Sequence, residues 1–133
     1  MPGEAAVPTV SVAAAVAQRG DEVLLTRRLH GTHLEGLWEF PGGKRDPGET
    51  LEQCLVREMR EELAVEIEVG PLILTTVHAY PGKVVELHFF ACWLRGKPEP
   101  QLGQEMRWVP RAHLGEVEFP EADRALIALL LSS

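Results

Sequence analysis

The sequence predicts a single mixed α/β domain. At 133 residues, with 45% hydrophobic and 25% charged residues, the chain is long enough to bury one core and too short for two comfortable domains. Segments with strand character are spread along its length, and two segments carry the three-and-four apolar spacing of amphipathic helices. We place the domain at residues 9–133 and expect residues 1–8, which lack the basic stretch of a secretory signal, to be a disordered tail.

The first part of the chain predicts a hairpin followed by a loop. Thr9–Ala17 is rich in small and β-branched residues, which is typical of a buried strand, and Glu22–Thr26 returns after a turn around Gly20. His30–Gly36 has glycines and no regular pattern, so we expect an irregular loop there. Leu37–Phe40 is a short apolar run ended by proline and glycine.

The first helix is predicted at Thr50–Leu63, after a loop at Lys44–Gly48. Apolar residues recur along the helix at spacings of three and four. They are Leu51, Cys54, Leu55, Met59 and Leu63. Charged residues cover the other faces, so the helix is expected to be amphipathic.

The second half of the chain predicts further strands and a second helix. The strict alternation in Val65–Val69 is typical of a half-buried strand, and Gly96–Gly103 has the composition of a loop. The other predicted elements are strands at Leu72–His78, Val84–Leu94 and Met106–Val109 and a helix at Pro120–Leu131. The residues that this second helix turns inward are expected to be Ala122, Leu126, Ile127 and Leu130.

Composition and charge argue against several classes of partner. No apolar run approaches the roughly 20 residues of a membrane span, so we expect no membrane partner. The net charge of −7 argues against duplex nucleic acid, whose binders usually carry basic surfaces. Cys54 and Cys92 lie far apart without the spacing of a zinc site, and we expect both to be reduced packing residues, which fits the cytoplasm.

An acidic cluster is predicted on the first helix. Glu58, Glu61 and Glu62 occupy positions i, i+3 and i+4, so their carboxylates share one side, where like charges repel. Glu49 in the preceding loop adds to this charge. Hard oxygen ligands on a helix suit magnesium, which takes a few carboxylates and fills its shell with water and substrate phosphate. The alternative is a solvated acidic helix face with neighbouring arginines as ion-pair partners.

A longer pattern around the cluster favours the metal site. It reads Gly43-x5-Glu49-x7-Arg57-Glu58-Met59-x-Glu61-Glu62-x-Ala64-Val65. This pattern resembles the signature of the Nudix hydrolases at every charged position. It departs from the signature at Ala64, where the family has the glycine of the turn after the helix. Similarity to the MutT-like branch of the family extends to Leu25-Thr26-Arg27-Arg28, Trp38-Glu39-Phe40-Pro41-Gly42-Gly43-Lys44 and Phe119-Pro120-x-Ala122-Asp123.

The resemblance implies the Nudix fold, an α/β/α sandwich around a mixed β-sheet, and hydrolysis of a nucleotide's phosphate chain. Water would attack phosphorus, normally the β-phosphorus in this branch, to give a nucleoside monophosphate and pyrophosphate. The implied cofactor is Mg²⁺, with Mn²⁺ as an alternative. Its implied ligands are Glu58, Glu61, Glu62 and the Gly42 carbonyl. The implied catalytic set is Glu58 and Glu61, with Glu49 acting through water and Arg57 orienting a carboxylate.

The sequence leaves the general base open. MutT-like proteins often carry a glutamate six residues ahead of a tryptophan, and the matching position before Trp108 holds Leu102. Glu105 lies close by in the sequence and is one candidate, and a glutamate of the helix such as Glu58 is the other.

Two residues near the second strand are implied to contact substrate. Arg28 aligns with a substrate-contacting arginine of the branch and His33 with a nearby loop histidine, a solvated surface position being the alternative for each. Arg27 should point to the opposite side of the strand, into solvent. Residues that we expect to pack and not to catalyse are His78, Tyr80 and His88.

Asp123 carries the expectation about base specificity. The branch that degrades oxidised guanine nucleotides commonly has asparagine at this position, and aspartate also occurs in relatives that act on cytidine nucleotides. An ionised aspartate only accepts hydrogen bonds, whereas a protonated one also donates. The alternative is a structural role, as a negative charge at the N-terminus of the second helix.

The leading hypothesis is an 8-oxo-dGTP diphosphatase of nucleotide-pool sanitation, which forms 8-oxo-dGMP and pyrophosphate and so supports DNA repair. A CTP or modified-dCTP pyrophosphatase is the rival because of Asp123. A non-catalytic nucleotide-binding module is the alternative from another functional class, although such modules usually lack the glutamates of the Nudix signature, all of which are present here. ADP-ribose or a dinucleoside polyphosphate would be a different Nudix substrate. We expect a nucleoside triphosphate as the partner and a monomer rather than a dimer.

Overall fold

The fold is organised around one long strand at the centre of a mixed sheet. A computed structural model describes residues 7–132, so most of the predicted tail, residues 1–6, and Ser133 lie outside the described residues. The strands are β1 (Thr9–Arg19), β2 (Glu22–Arg27), β3 (Trp38–Glu39), β4 (Gly42–Lys44), β5 (Ile67–Tyr80), β6 (Lys83–Leu94) and β7 (Met106–Pro110). The helices are α1 (Leu51–Leu63) and α2 (Arg124–Leu131), with 3-10 turns at Arg111–Glu116 and Glu121–Asp123.

Strand β1 has partners on both of its edges. It runs parallel to β6 from Thr9–Val84 to Ala17–Cys92, which makes the sheet mixed. On its other edge it pairs antiparallel first with β4 and then, through its last residues, with β2. The hairpin β5–β6 extends the sheet on one side, while β3 and β7 each pair antiparallel with β2 on the other.

The sheet separates two apolar layers because alternate side chains of β1 point to opposite faces. Ala13, Ala15 and Ala17 pack with α1, through buried residues that include Leu55 and Met59. Ala14 and Val16 pack on the other side in the cluster that contains α2, through Leu126 and Leu130. This arrangement is the α/β/α sandwich that the sequence resemblance implied.

Helix α1 has the boundaries and the buried face that its sequence predicts. Thr50 caps the N-terminus in a capping box with Gln53, since each side chain hydrogen-bonds the other residue's backbone amide. Cys54, Leu55, Met59 and Leu63 are buried, as their spacing indicates. Ala64 ends the helix in the left-handed conformation, with φ 50° and ψ 40°.

Three predicted boundaries are wrong. The strands predicted at Val65–Val69 and Leu72–His78 form one continuous strand, β5, which stays in the sheet through register shifts between Val69 and Leu74. The predicted loop at Lys44–Gly48 begins after Lys44, because Gly42–Lys44 pairs with β1 as β4. The helix predicted from Pro120 begins as a 3-10 turn and becomes α-helical only at Arg124.

Burial confirms the expectation that both cysteines are packing residues. Cys54 and Cys92 are free thiols inside the core. Pro8, at the end of the predicted tail, accepts a hydrogen bond at its carbonyl from the Val84 amide at 2.9 Å. Within residues 7–132, no helix has the length and apolar character needed to cross a membrane.

Candidate active site

Arg57, in the middle of α1, is the centre of a charged network. Its guanidinium donates two hydrogen bonds to the Glu49 carboxylate, at 2.7 and 2.9 Å, and further bonds to Glu58 at 2.9 Å and Glu61 at 3.1 Å. It also donates to the Lys44 carbonyl at 3.1 Å. The planar guanidinium group presents its N–H donors in a geometry that suits such bidentate pairing. Arg57 therefore holds the carboxylates of Glu49, Glu58 and Glu61 in fixed positions. The hydrogen bonds from Arg57 lower the pKa of Glu49 to about 2.

Strand β4 passes between β1 and α1, and its two glycines make this passage possible. A Cβ at Gly42 would overlap the Ala13 carbonyl on β1, and a Cβ at Gly43 would overlap the carboxyl group of Glu58. The backbone therefore approaches the acidic cluster as closely as it can. A backbone hydrogen bond from Gly42 reaches the Glu62 carboxylate.

The carboxylates at this point are crowded and partly buried. Burial, together with the charges of Glu58 and Glu39, raises the pKa of Glu62 to about 8. Burial also raises the pKa of Glu58, against the lowering effect of Arg57. The same cause raises the pKa of Glu39, here opposed by Arg28. Such a group of carboxylates is stabilised by protonation or by a nearby cation.

The chemistry of these donors fits a hard divalent cation. All the candidate side-chain ligands are carboxylate oxygens, and the backbone of β4 adds peptide oxygens close to them. Magnesium prefers such oxygen ligands. In the conformation described for residues 7–132, no three His, Cys, Asp or Glu side chains are grouped as a metal-ligand set. Glu61 is one reason, because its side chain is 57% exposed and turned to Arg57. Glu58 and Glu62 do come together, as their positions on the helix predict.

A cavity of about 290 Å³ extends from β4 to the start of α2. Its walls are mostly apolar and come from β1, β6 and the segments around Phe40 and Pro120. The apolar lining residues are Val10, Val12, Ala14, Leu34, Phe40, Val85, Leu87, Phe89, Pro120 and Ala122. Gly42 and Gly43 line the end nearest the acidic cluster, and Asp123 lines the cavity as well. An apolar cavity with a few placed polar groups is the usual form of a small-molecule site.

Asp123 is buried in the wall of this cavity. The residue is only 5% exposed. Burial, with a contribution from the charge of Glu39, raises the pKa of its carboxyl group to about 7. The residue is also the N-cap of α2, yet its side chain makes no capping hydrogen bond. Both positions considered from the sequence, beside a ligand and at a helix N-terminus, therefore coincide in one residue.

Arg28 and His33, the two residues implied to contact substrate, both line the same cavity. Arg28 donates from Nη1 to both carboxylate oxygens of Glu39, at 2.9 and 3.1 Å, and from Nε to the His33 carbonyl. The His33 ring lies edge-on to Tyr80, with ring centroids 5.2 Å apart.

Arg27 and Glu105 lie on the outer side of β2. Arg27 is exposed, as predicted, and donates to the Glu105 carboxylate at 2.9 Å and to the Gly36 carbonyl at 2.9 Å. Glu105 thus faces Arg27, with 55% of its side chain exposed. A different cavity, of about 170 Å³, contains Glu62, and there Leu102 and Gln104 occupy the wall.

Sequence reasoning missed four charged or polar residues that line the 290 Å³ cavity: Glu39, Lys44, Tyr80 and Lys83. Tyr80 was expected to pack, and it does contact His33 and His78, but it also faces the cavity. Glu39 carries a signal that could have found it, since it is a lone carboxylate inside an apolar run that becomes a strand. Tyr80 and Lys83 flank the turn between β5 and β6, which is a common place for binding residues.

The sandwich fold, the acidic loop–helix and the adjoining cavity together define a hydrolase of the Nudix class. The chain belongs to the Nudix family, because residues 12–129 match the model of the NUDIX domain. This match confirms the family and the enzyme class inferred from the charged pattern.

Individual relatives agree with the family match. The 8-oxo-dGTP diphosphatase of Haemophilus influenzae is 38% identical over 113 residues, which cover 84% of this chain and 82% of that protein. The CTP pyrophosphohydrolase of Escherichia coli is 40% identical over 79 residues, which cover 59% of this chain and 58% of that protein. The solution structure of the ORF135 protein of Escherichia coli superposes with a TM-score of 0.80 at 32% identity, over 93% of this chain and 87% of that one. The predicted fold is therefore confirmed.

Proposed function

We propose that this Nudix hydrolase is a Mg²⁺-dependent nucleoside triphosphate pyrophosphohydrolase that converts 8-oxo-dGTP to 8-oxo-dGMP and pyrophosphate. The observation that carries the proposal is the position of β4, whose Gly42 and Gly43 line the apolar cavity that contains Asp123 and at the same time approach the crowded carboxylates of Glu58 and Glu62. The relative at 38% identity has the same named activity. The biological role would be sanitation of the nucleotide pool in the cytoplasm, in support of DNA repair, by a monomer.

The residues of the acidic end divide into ligands and an organiser. Glu58, Glu61, Glu62 and the Gly42 carbonyl would hold the metal, with Mn²⁺ as an alternative to Mg²⁺. The bound metal would lower the pKa of water and neutralise charge that develops on the phosphate oxygens. Arg57 holds Glu49 and Glu58 in place, so that neither carboxylate has to be reoriented when substrate binds.

Two glutamates are candidates for the base that takes a proton from the attacking water. Glu58 lies in the acidic cluster, against Gly43. Glu105 is engaged with Arg27 and would have to leave that ion pair to act. We therefore favour Glu58, and we assign Arg28, His33 and Asp123 to substrate binding because all three line the cavity.

A CTP or modified-dCTP pyrophosphatase is the second candidate, and Asp123 is the observation that favours it. A carboxylate accepts a hydrogen bond from the amino group of cytosine as well as from an N–H group of guanine. Because burial raises the pKa of Asp123 to about 7, both its accepting and its donating forms are populated near neutral pH. One relative is named as a CTP pyrophosphohydrolase.

The test is pyrophosphate release with Mg²⁺ from 8-oxo-dGTP, dGTP, dCTP, 5-methyl-dCTP, CTP and ADP-ribose, compared as kcat/KM. We expect the highest value for 8-oxo-dGTP. A preference for cytidine nucleotides would replace this substrate with the second candidate. A preference for ADP-ribose would contradict the nucleoside triphosphate class, and no turnover of any compound would favour a non-catalytic binding module.

A further inference from the structure

The ion pair between Arg28 and Glu39 lies at the boundary between two cavities. One is the 290 Å³ cavity that contains Asp123, and the other is the 170 Å³ cavity that contains Glu62. Of the residues that line these two cavities, Arg28 and Glu39 are the ones they share. A ligand that reaches from Asp123 towards Glu62 therefore passes this pair.

The backbone and the side chain of Glu39 are both held in place. In the pairing of β2 with β3, Glu39 lies opposite Thr26. Its carboxylate receives two hydrogen bonds from Arg28, and the side chains of Arg28 and Glu39 are 32% and 27% exposed. The partly shielded position and two separate points of attachment, Nη1 on Glu39 and Nε on the His33 carbonyl, fix the direction of the guanidinium more firmly than one exposed contact would.

The guanidinium still has donors to offer. Its hydrogen bonds to described residues use Nε, for the His33 carbonyl, and Nη1, for Glu39. A guanidinium carries five N–H groups, so the pair on Nη2 is left for a ligand. Negatively charged oxygens of a nucleotide are the groups that such a fork binds best.

We propose that Glu39 is a positioning residue for substrate binding, which holds Arg28 between the two cavities so that its free N–H groups meet the sugar–phosphate part of the nucleotide. This inference rests on the proposed function, because it assumes a nucleotide that spans both cavities. Glu39 itself touches Arg28 and not the reacting atoms. Its effect is therefore on substrate binding, and the chemical step is left to the residues of α1.

If Glu39 instead repelled the substrate, its removal would change KM in the opposite direction. A carboxylate beside the path of a phosphate chain would repel the substrate if it did not serve Arg28, and its neutralisation would then tighten binding. A merely structural role would change thermal stability and leave KM unaltered. The three roles are thus separable by measurement.

The experiment is a double-mutant cycle with Glu39→Gln and Arg28→Ala, in which kcat and KM are measured for the preferred nucleoside triphosphate with Mg²⁺. We expect Glu39→Gln to raise KM by about tenfold with kcat within about threefold of wild type, since an oriented contact is lost while the catalytic groups stay in place. In the Arg28→Ala background the same change should alter KM by less than about twofold. Glu68→Gln, which removes the exposed ion pair with Arg95, is the control and should leave both constants unchanged.

Each outcome is informative. A lower KM in Glu39→Gln, or a change in melting temperature alone, overturns the positioning role while the proposed function stands. An effect of Glu39→Gln that persists undiminished without Arg28 overturns it as well. If wild-type protein turns over no nucleoside triphosphate, the proposed function fails at that first step, and the inference that depends on it fails too.

Discussion

The two ends of the active site are built in different ways. At the acidic end, Glu49, Arg57, Glu58 and Glu61 are joined by hydrogen bonds across at most twelve positions of the chain, and helix α1 sets the directions of all of them except Glu49. At the cavity end, Arg28 and Glu39 pair across 11 positions through neighbouring strands, and they share the cavity with Asp123 from a distant part of the chain. The first arrangement is local chemistry on a rigid support, and the second is a product of the tertiary fold. Substitutions at the two ends should therefore have different kinetic signatures.

Glu58→Gln should give the largest effect, because it removes a charge from the acidic end. We expect kcat to fall by about 10²–10⁴-fold with little change in KM, since we assign the side chain to metal binding or to proton transfer and not to a contact with the nucleobase. The measurement is pyrophosphate release, with circular dichroism to verify the fold. Glu52→Gln, an exposed position on the same helix, is the matched control. Wild-type turnover in Glu58→Gln would contradict the metal and base assignments together.

Arg57→Lys should have the next largest effect. Lysine keeps the positive charge but cannot donate to Glu49 and Glu58 with one planar fork, so the carboxylates lose their fixed arrangement. We expect kcat to fall by about 10–100-fold, since misplaced groups are costly in catalysis. Arg60→Lys, on the same helix with an ion pair to Glu66, is the control and should match wild type. Equal activity of both variants would show that orientation by Arg57 is unimportant.

Asp123→Asn tests the cavity end and should act on selectivity more than on the maximal rate. The pKa of Asp123 is about 7, so wild-type protein has a donor and acceptor below this pH and an acceptor alone above it. In wild-type protein, we expect the ratio of kcat/KM for 8-oxo-dGTP to kcat/KM for CTP to change by about tenfold between pH 6 and pH 8. A change of this size corresponds to the free energy of about one hydrogen bond to a charged group. In Asp123→Asn the ratio should stay flat. A ratio that shifts equally in both proteins would assign the pH dependence to another group.

The same substitution has a consequence for stability with a defined sign. The pKa of Asp123 is raised in the folded protein from its ordinary value of 3.8 to about 7. Between these values the folded state keeps a proton that the unfolded state releases, so stability falls as pH rises through this window. Asparagine cannot ionise, and the melting temperature of Asp123→Asn relative to wild type should increase from pH 5 to pH 8. A constant difference across this range would contradict the raised pKa.

Ala64→Gly should have the smallest effect and should leave kinetics unchanged. Ala64 has φ 50° and ψ 40°, a conformation that costs an alanine about 1–2 kcal/mol and that glycine adopts without this strain. Glycine also has more conformational freedom in the unfolded chain, and this entropy offsets part of the gain. We expect a net gain of about 0.5–1 kcal/mol, measured by thermal unfolding. Ala125→Gly in α2, where φ is helical, is the control with the opposite sign, a loss of about 1 kcal/mol. A destabilised Ala64→Gly would show that the left-handed position is not strained.

The contrast between the two ends also separates what the sequence predicts from what it does not. The stripe of α1 and the positions of its glutamates follow from helical periodicity, which operates within a few residues. The pairing of Arg28 with Glu39 depends on the loop between β2 and β3 and on the register of these strands, and no local pattern encodes either. The continuity of β5 was missed for a similar reason, because Gly70 and Pro71 are turn signals that the pairing with β6 overrides. Asp123 could be singled out by resemblance, but its burial beside the cavity required the fold.

The parallel pairing of β1 with β6 sets an order on the assembly of the protein. Ser11 of β1 and Glu86 of β6 are hydrogen-bonded to each other although 75 positions separate them. Helix α1 lies between these two strands in the sequence, and its capping box and ion pairs join residues that are close together in the chain. A chain leaving the ribosome therefore presents the residues of its acidic helix before it has the cavity, whose β1 and β6 walls come together only when β6 has emerged. Until β6 pairs with it, β1 has an open edge to which a neighbouring chain can bind, so the pairing that joins two walls of the cavity also protects the nascent protein from aggregation.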